Sequence, residues 1–250
     1  MNKDLKFLIK SVKKASKLVT EEFMVNAKDE NNDLITDFDL EIEKYLIKEI
    51  NKKYPNFKII SEEFNTDEKE TENYFTIDPI DGTINFAHNL PLWGIQVAMV
   101  KNFKTCVSVI YFPKLDELYY ADETGSYLNG KLLDLSKVKY PSKPLIDQIY
   151  LENENEFCED FTRNIPLSLR ARMFRKLYCA SASFAWTAKG GIGAFIFVKH
   201  LPWDYTPGMF LVEKANGATA NFEFNNKNYY IGAVNKEILE NVINSIKKTQ

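Results

Sequence analysis

Apolar side chains at Leu5, Leu8, Ile9, Val12, Ala15, Val19 and Phe23 recur three and four residues apart, which predicts an amphipathic helix at the start of the chain. A polar turn over 28–33 leads into a second predicted helix, 36–51, with apolar positions at Leu40, Ile42, Leu46 and Ile50. Pro55 follows it, where a proline no longer interrupts a helix. The period then shortens. Apolar runs at 57–60 and 74–77 read as short strands, each ending in acidic residues, with the acidic loop 65–73 between them. Further strand patterns cover 94–100, 107–111 and 117–121, and Asn129-Gly130 is a hairpin-turn dipeptide. The stretch 139–144, with two prolines, is a candidate boundary between halves. Beyond it the pattern predicts strand 146–151, helix 181–189, strand 194–198, helix 205–215 with Pro207 in its first turn, and helix 236–247. Such a mixture predicts a layered α/β or α+β fold.

Composition narrows the function. The 250 residues carry a net charge of −3, which offers no general attraction to nucleic acid or an anionic membrane. An anionic substrate would therefore need a local source of positive charge, such as a metal ion. No run approaches the roughly 20 apolar residues of a membrane span, and the basic N-terminus lacks the apolar core of a signal peptide. The three cysteines, Cys106, Cys158 and Cys179, form no Cys-x-x-Cys pair, which suits a reducing cytoplasm. With only His88 and His200 available, a metal site must be built mainly from oxygen ligands.

The richest stretch is Phe75-Thr-Ile-Asp-Pro-Ile-Asp-Gly-Thr83. An apolar strand delivers Asp78, Pro79 ends the run, and Asp81 follows at a turn that Gly82 permits. Thr83 adds a hydroxyl and Ile80 a carbonyl, a set of hard oxygen donors of the kind Mg²⁺ takes. Taken alone, Asp-Pro and Asp-Gly are ordinary turn formers. Two further acidic groups change the reading: Ser61-Glu62-Glu63 at another strand end, and Trp203-Asp204 just before a helix. Carboxylates collected at strand ends and helix starts are placed where α/β folds build sites.

Asp78-Pro-Ile-Asp-Gly-Thr83-Ile-Asn85-Phe86 resembles the first signature of the inositol monophosphatase family, and Trp203-Asp204-Tyr205 with Gly208 and Gly217 resembles the second. Ser61-Glu62-Glu63 is similar to the family's Gly-Glu-Glu element, and Asp33-Leu-Ile-Thr36-Asp37-Phe-Asp39 to its Asp-Leu-Val-Thr-x-x-Asp element. The resemblance implies an αβαβα sandwich with mixed sheets, in which residues 1–140 form an α+β half with most metal ligands and 141–250 an α/β half with Asp204, together one compact unit. It implies a Mg²⁺-dependent, Li⁺-sensitive phosphomonoesterase, homodimeric, acting on a small phosphorylated metabolite. Glu62, Asp78 and the Ile80 carbonyl would hold one ion; Asp78, Asp81 and Asp204 a second; a third would lean on Glu62. Asp39 and Thr83 would pair to orient water, and the Gly82 and Thr83 N–H groups would bind phosphate. Ala180 and Phe197 fall at substrate-facing positions of the family. Lys28 falls near its metal-site loop, and a bare capping box is the alternative reading of Thr36 and Asp39.

Three positions depart from the family pattern, the last two of them at the substrate. Ser61 stands where the family has glycine, and Tyr178-Cys179-Ala180 where relatives carry Gly-Ser-Ala or Gly-Thr-Ala. Phe197 replaces a glutamate that accepts a hydrogen bond from the ring of inositol, which weakens discrimination for a hydroxyl-rich ring. An inositol or sugar phosphate is the first expectation. A nucleotide such as 3′-phosphoadenosine 5′-phosphate or a sugar bisphosphate such as fructose 1,6-bisphosphate is the alternative, with Phe197 and Tyr178 facing its less polar part. A catalytically retired binding protein is the non-enzymatic alternative, opposed by the intact set Glu62, Asp78, Asp81, Thr83 and Asp204.

Overall fold

A computed structural model describes residues 2–20, 25–27, 34–138, 145–150, 174–199 and 201–248. The expected features at Lys28, Asp33, 139–144, Cys158 and His200 lie outside the described residues. Helices α1 (Lys3–Ala15) and α2 (Asp37–Lys53) pack on one face of a seven-stranded sheet. Its order is β3 (Lys58–Ser61), β4 (Asn73–Asp81), β5 (Gly94–Lys101), β6 (Lys104–Phe112), β7 (Glu117–Asp122), β8 (Gly125–Leu128) and β9 (Lys131–Leu133). All its pairings are antiparallel except β3 with β4. A separate antiparallel pair, β1 (Val25–Ala27) with β2 (Leu34–Thr36), leads into α2.

A second sheet contains β10 (Ile146–Tyr150), β11 (Phe174–Arg175), β12 (Ala194–Val198), β13 (Ala218–Phe224) and β14 (Lys227–Ala233), in the order β11-β10-β12-β14-β13. Helices α4 (Ala180–Ala188) and α5 (Pro202–Lys214) fill the space between the sheets, and α6 (Lys236–Ile246) covers the outer face of the second. The short α3 (Thr83–Ala87) follows β4. The result is the layered αβαβα arrangement with mixed sheets.

Two cores follow from the apolar patterning. Leu5, Leu8 and Val12 of α1 meet Ile42, Leu46 and Ile50 of α2 over Phe75, Ile77 and Val97. The other core joins Phe112 and Tyr119 of the first sheet to Phe184, Phe195, Phe197 and Leu211 around the central helices. Burial of an aliphatic or aromatic side chain contributes about 1.5–3 kcal/mol, so the interleaved layers dominate stability. Among the described residues, no helix is long and apolar enough to cross a membrane.

Some elements differ from the pattern. Helix α1 ends at Ala15 and tightens into a 3₁₀ turn over Ser16–Leu18, so Val19 lies past it. The β13–β14 hairpin escapes the apolar pattern because β13 is half-exposed, and its turn uses Asn225-Asn226, both at positive φ. Helix α5 begins at Pro202, not Tyr205, which places Asp204 in its first turn and Pro207 in its interior. Strand β4 continues through Asp81 instead of stopping at Ile77.

Candidate metal centre

Alternation along a regular strand would put Asp78 and Asp81, three residues apart, on opposite faces. The register prevents this. Asp78 pairs with Gln96 and Asp81 with Gly94, so three steps on β4 oppose two on β5. This bulge, at a position where Pro79 supplies no N–H, resets the alternation. Ile80 turns into the core beneath α2, and Asp78 and Asp81 face the same side. Asp204 arrives from the first turn of α5. One carboxylate oxygen from each of Asp78, Asp81 and Asp204 lies within 4.8 Å of the others.

Such proximity is unfavourable without a cation. Burial first, then the charges of Glu62, Asp81 and Asp204, push Asp78 well above the ordinary carboxylate range. Asp204 is likewise raised by burial, then by Asp81 and Glu62. Glu62, in the turn after β3, lies outside the 4.8 Å group yet near enough for its charge to act on both. Asp78 Oδ2 accepts from Gln96 Nε2 at 3.1 Å, whereas Oδ1 is buried with no hydrogen-bond partner. An orphaned oxygen among converging carboxylates fits a hard divalent cation.

The comparisons with known proteins agree with this geometry. The sequence model described as the Inositol monophosphatase family matches residues 1–249. The chain belongs to the inositol monophosphatase family. A fructose-1,6-bisphosphatase/inositol-1-monophosphatase from Thermotoga maritima is 30% identical over 76% of this chain and 72% of its own. An inositol-1-monophosphatase from Bacillus subtilis is 31% identical over 81% and 78%. A solved inositol monophosphatase structure from Thermotoga maritima superposes with a TM-score of 0.82, at 28% identity, over 100% of both chains. The family is one of phosphatases, and this member is a phosphoric monoester hydrolase.

Within this inositol monophosphatase family member, Asp81 is the most tightly held ligand candidate. Its Oδ1 accepts from the Ala180 N–H at 3.1 Å; its Oδ2 accepts from the Ser181 N–H at 2.7 Å, the Cys179 thiol at 3.0 Å and the Ser181 hydroxyl. It therefore sits at the N-terminus of α4, where partial positive charge favours an anion. Burial still raises Asp81, and the hydrogen bonds only oppose that rise. Sequence reading missed Gln96 and Ser181 and gave Cys179 no role. Nothing in a linear motif links residue 81 to residue 181.

Three expectations need correction. The Asp39–Thr83 pair is absent: the Thr83 hydroxyl donates to the Ile80 carbonyl at 2.9 Å, and Asp39 Oδ2 accepts from the Thr36 N–H at 2.7 Å and the Thr36 hydroxyl at 2.5 Å. Asp39 and Thr36 thus form the capping-box arrangement. Ala180 is 2% exposed, with its N–H turned to Asp81. Phe197 is 2% exposed within the inter-sheet core, so packing accounts for its ring. Of the two aromatics expected to face a substrate, Tyr178 is the exposed one, at 43%. His88, exposed and bonded to the Ile84 carbonyl, is no part of the cluster. Gly82 is required where it stands: φ is +86°, and a Cβ would lie 3.0 Å from the Leu92 carbonyl.

Burial pushes Asp39 up to about 7, although both Thr36 bonds favour its charged form. A carboxyl raised in the folded state stabilises the fold fully below its unfolded value of 3.8, and that contribution is lost as pH rises through about 7. Urea midpoints of the metal-free protein should therefore fall between pH 4 and 7. Asp39→Asn should flatten this slope; an unchanged slope would assign it to other groups.

Proposed function

We propose that the chain is a Mg²⁺-dependent phosphomonoesterase that hydrolyses an inositol or sugar phosphate by direct attack of water. The observation that supports it is the convergence of Asp78, Asp81 and Asp204 within 4.8 Å around an unpartnered Asp78 oxygen. Glu62, Asp78 and the Ile80 carbonyl would hold one Mg²⁺, Asp78, Asp81 and Asp204 a second, and Glu62 would support a third. Bound Mg²⁺ supplies charge that polarises the phosphoryl group, acidifies water and stabilises the leaving oxygen.

The protein's own groups supply position. Thr83 spends its proton on the Ile80 carbonyl, which leaves its oxygen free to accept from a water and orient it. The N–H groups of Gly82 and Thr83 open α3, where a helix's first donors lack intrahelical partners and suit phosphate oxygens. The burial of Phe197 removes one of the two aromatic side chains that favoured a nucleotide substrate.

A screen of inositol 1-phosphate, fructose 1,6-bisphosphate and 3′-phosphoadenosine 5′-phosphate, with and without Mg²⁺, tests this reading by released phosphate. Inositol or sugar ester should be hydrolysed fastest, and only with Mg²⁺. Preference for the adenosine ester would overturn the substrate class; absence of Mg²⁺-stimulated release from all three would overturn the activity. Ser181→Ala deletes one donor to Asp81 and should weaken Mg²⁺ binding about tenfold in calorimetry, within the usual range for groups that orient a ligand. Wild-type affinity in that variant would show the hydroxyl to be dispensable.

A further inference from the structure

We propose that Glu43 is a positioning residue for the metal site, a buried clamp that holds the turn bearing Glu62. The inference rests on Glu62 being a metal ligand. Glu43 lies on α2, one turn after Asp39, and is 0% exposed. Its charged head would be costly to bury without partners. The partners all come from one place. Glu43 Oε1 accepts from the Ser61 hydroxyl at 2.5 Å and the Phe64 N–H at 2.8 Å, and Oε2 accepts from the Glu63 N–H at 2.9 Å.

Those three donors bracket Glu62 on both sides. The turn is closed further by the Ser61 N–H to the Asn65 carbonyl at 3.4 Å and by Asn65 Nδ2 to the Ser61 oxygen at 3.1 Å. Glu62 donates its own N–H to Ile77 at 3.3 Å, which ties the turn to β4, the strand that carries Asp78. On the outer side, Lys44 Nζ stands 5.3 Å from the centre of the Phe64 ring, a second hold by α2 on the same turn. The peptide groups beside Glu62 thus have fixed directions, and its side chain leaves from a defined point next to the strand that carries Asp78.

A carboxylate is the side chain this turn requires. It offers two acceptor oxygens and no donor, matching two N–H groups and a hydroxyl. In Glu43→Gln, an amide NH₂ must confront at least one of those donors, and the turn must shift. The change removes no metal ligand, so its effect on Mg²⁺ must pass through Glu62.

Calorimetric titration of the purified full chain with Mg²⁺ alone, on wild type, Glu43→Gln, Glu62→Gln and the double variant, tests this. Glu43→Gln should raise the Mg²⁺ Kd about tenfold while leaving kcat at saturating Mg²⁺ within about twofold. The double variant should bind no more weakly than Glu62→Gln, because the clamp acts only through the group already lost. Ser61→Ala, which removes one of three donors and keeps Glu43, should give a smaller loss, about threefold. It also serves should Glu43→Gln fail to fold. Wild-type affinity in Glu43→Gln and Ser61→Ala, or additive losses in the double variant, would overturn the clamp. Wild-type affinity in Glu62→Gln would overturn the ligand assignment beneath it, a distinguishable result.

Discussion

Asp78→Asn should raise the melting temperature of the metal-free protein while abolishing its response to Mg²⁺. The sign follows from the charges around Asp78. Burial and three neighbouring carboxylates oppose its ionisation, and the Gln96 hydrogen bond offsets them only in part. Folding therefore forces together charges that the unfolded chain keeps apart. An asparagine keeps the acceptor for Gln96 and places an NH₂ where Oδ1 had no partner. Each 1 kcal/mol of repulsion relieved corresponds to about 2–4 °C for a chain of this size. The pH dependence has a definite direction. A raised carboxyl stabilises the fold at low pH, and that stabilisation is lost as pH climbs through its folded value. The wild-type protein should thus fall further behind the variant as pH rises above the ordinary carboxylate range. Turnover should drop on the order of 10³-fold, since a metal's charge stabilisation of the transition state amounts to several kcal/mol. Differential scanning calorimetry with and without Mg²⁺, beside a phosphate-release assay, reads all three. A less stable metal-free variant would mean that the carboxylates do not repel one another in the folded protein.

Gly208→Ala should cause the largest loss of stability. Gly208 lies in α5 where that helix crosses α4, and a Cβ there would sit 2.4 Å from both Cβ and Cγ of Phe184. Phe184 is fully buried against Phe195, so it has nowhere to go. Overpacking at a rigid contact costs about 3 kcal/mol, the upper part of the usual range, and should lower the melting temperature by about 6–12 °C. Function should fall with it, because α4 supplies the donors to Asp81 and α5 supplies Asp204. Separating the helices separates the carboxylates. Gly191→Ala is the control: its nearest contact, the Trp186 carbonyl, is at 3.5 Å, and it should melt as wild type does. Equal melting of both variants would show that the α4–α5 contact can relax.

The amphipathic helices α1 and α2, strands read at 94–100, 107–111 and 194–198, and the acidic motifs were all legible, because each depends on a local period or a short turn. The family signatures pointed to Glu62, Asp78, Asp81 and Asp204 by position alone, and three of them, Asp78, Asp81 and Asp204, come together in the fold. Other features were not legible. A half-exposed hairpin such as β13–β14 has too weak an alternation to register. Phe197 reads as a surface for a ligand until the second sheet closes over it. Asp39 and Thr83, paired by analogy, take nearer partners instead.

What the chain's order of residues determines is the supply: which carboxylates exist, at which strand ends and helix starts, and which apolar stripes can be buried. Only the assembled sheets decide that Asp78 and Asp81 look the same way, because the reset of alternation is a mismatch between two strands and belongs to neither alone. They decide equally that Ser181 and Cys179 fix residue 81, and that Glu43 fixes the turn around residue 62. The reason is physical: a buried charge must find its donors within about 3 Å, and a close-packed interior draws them from wherever the chain happens to pass.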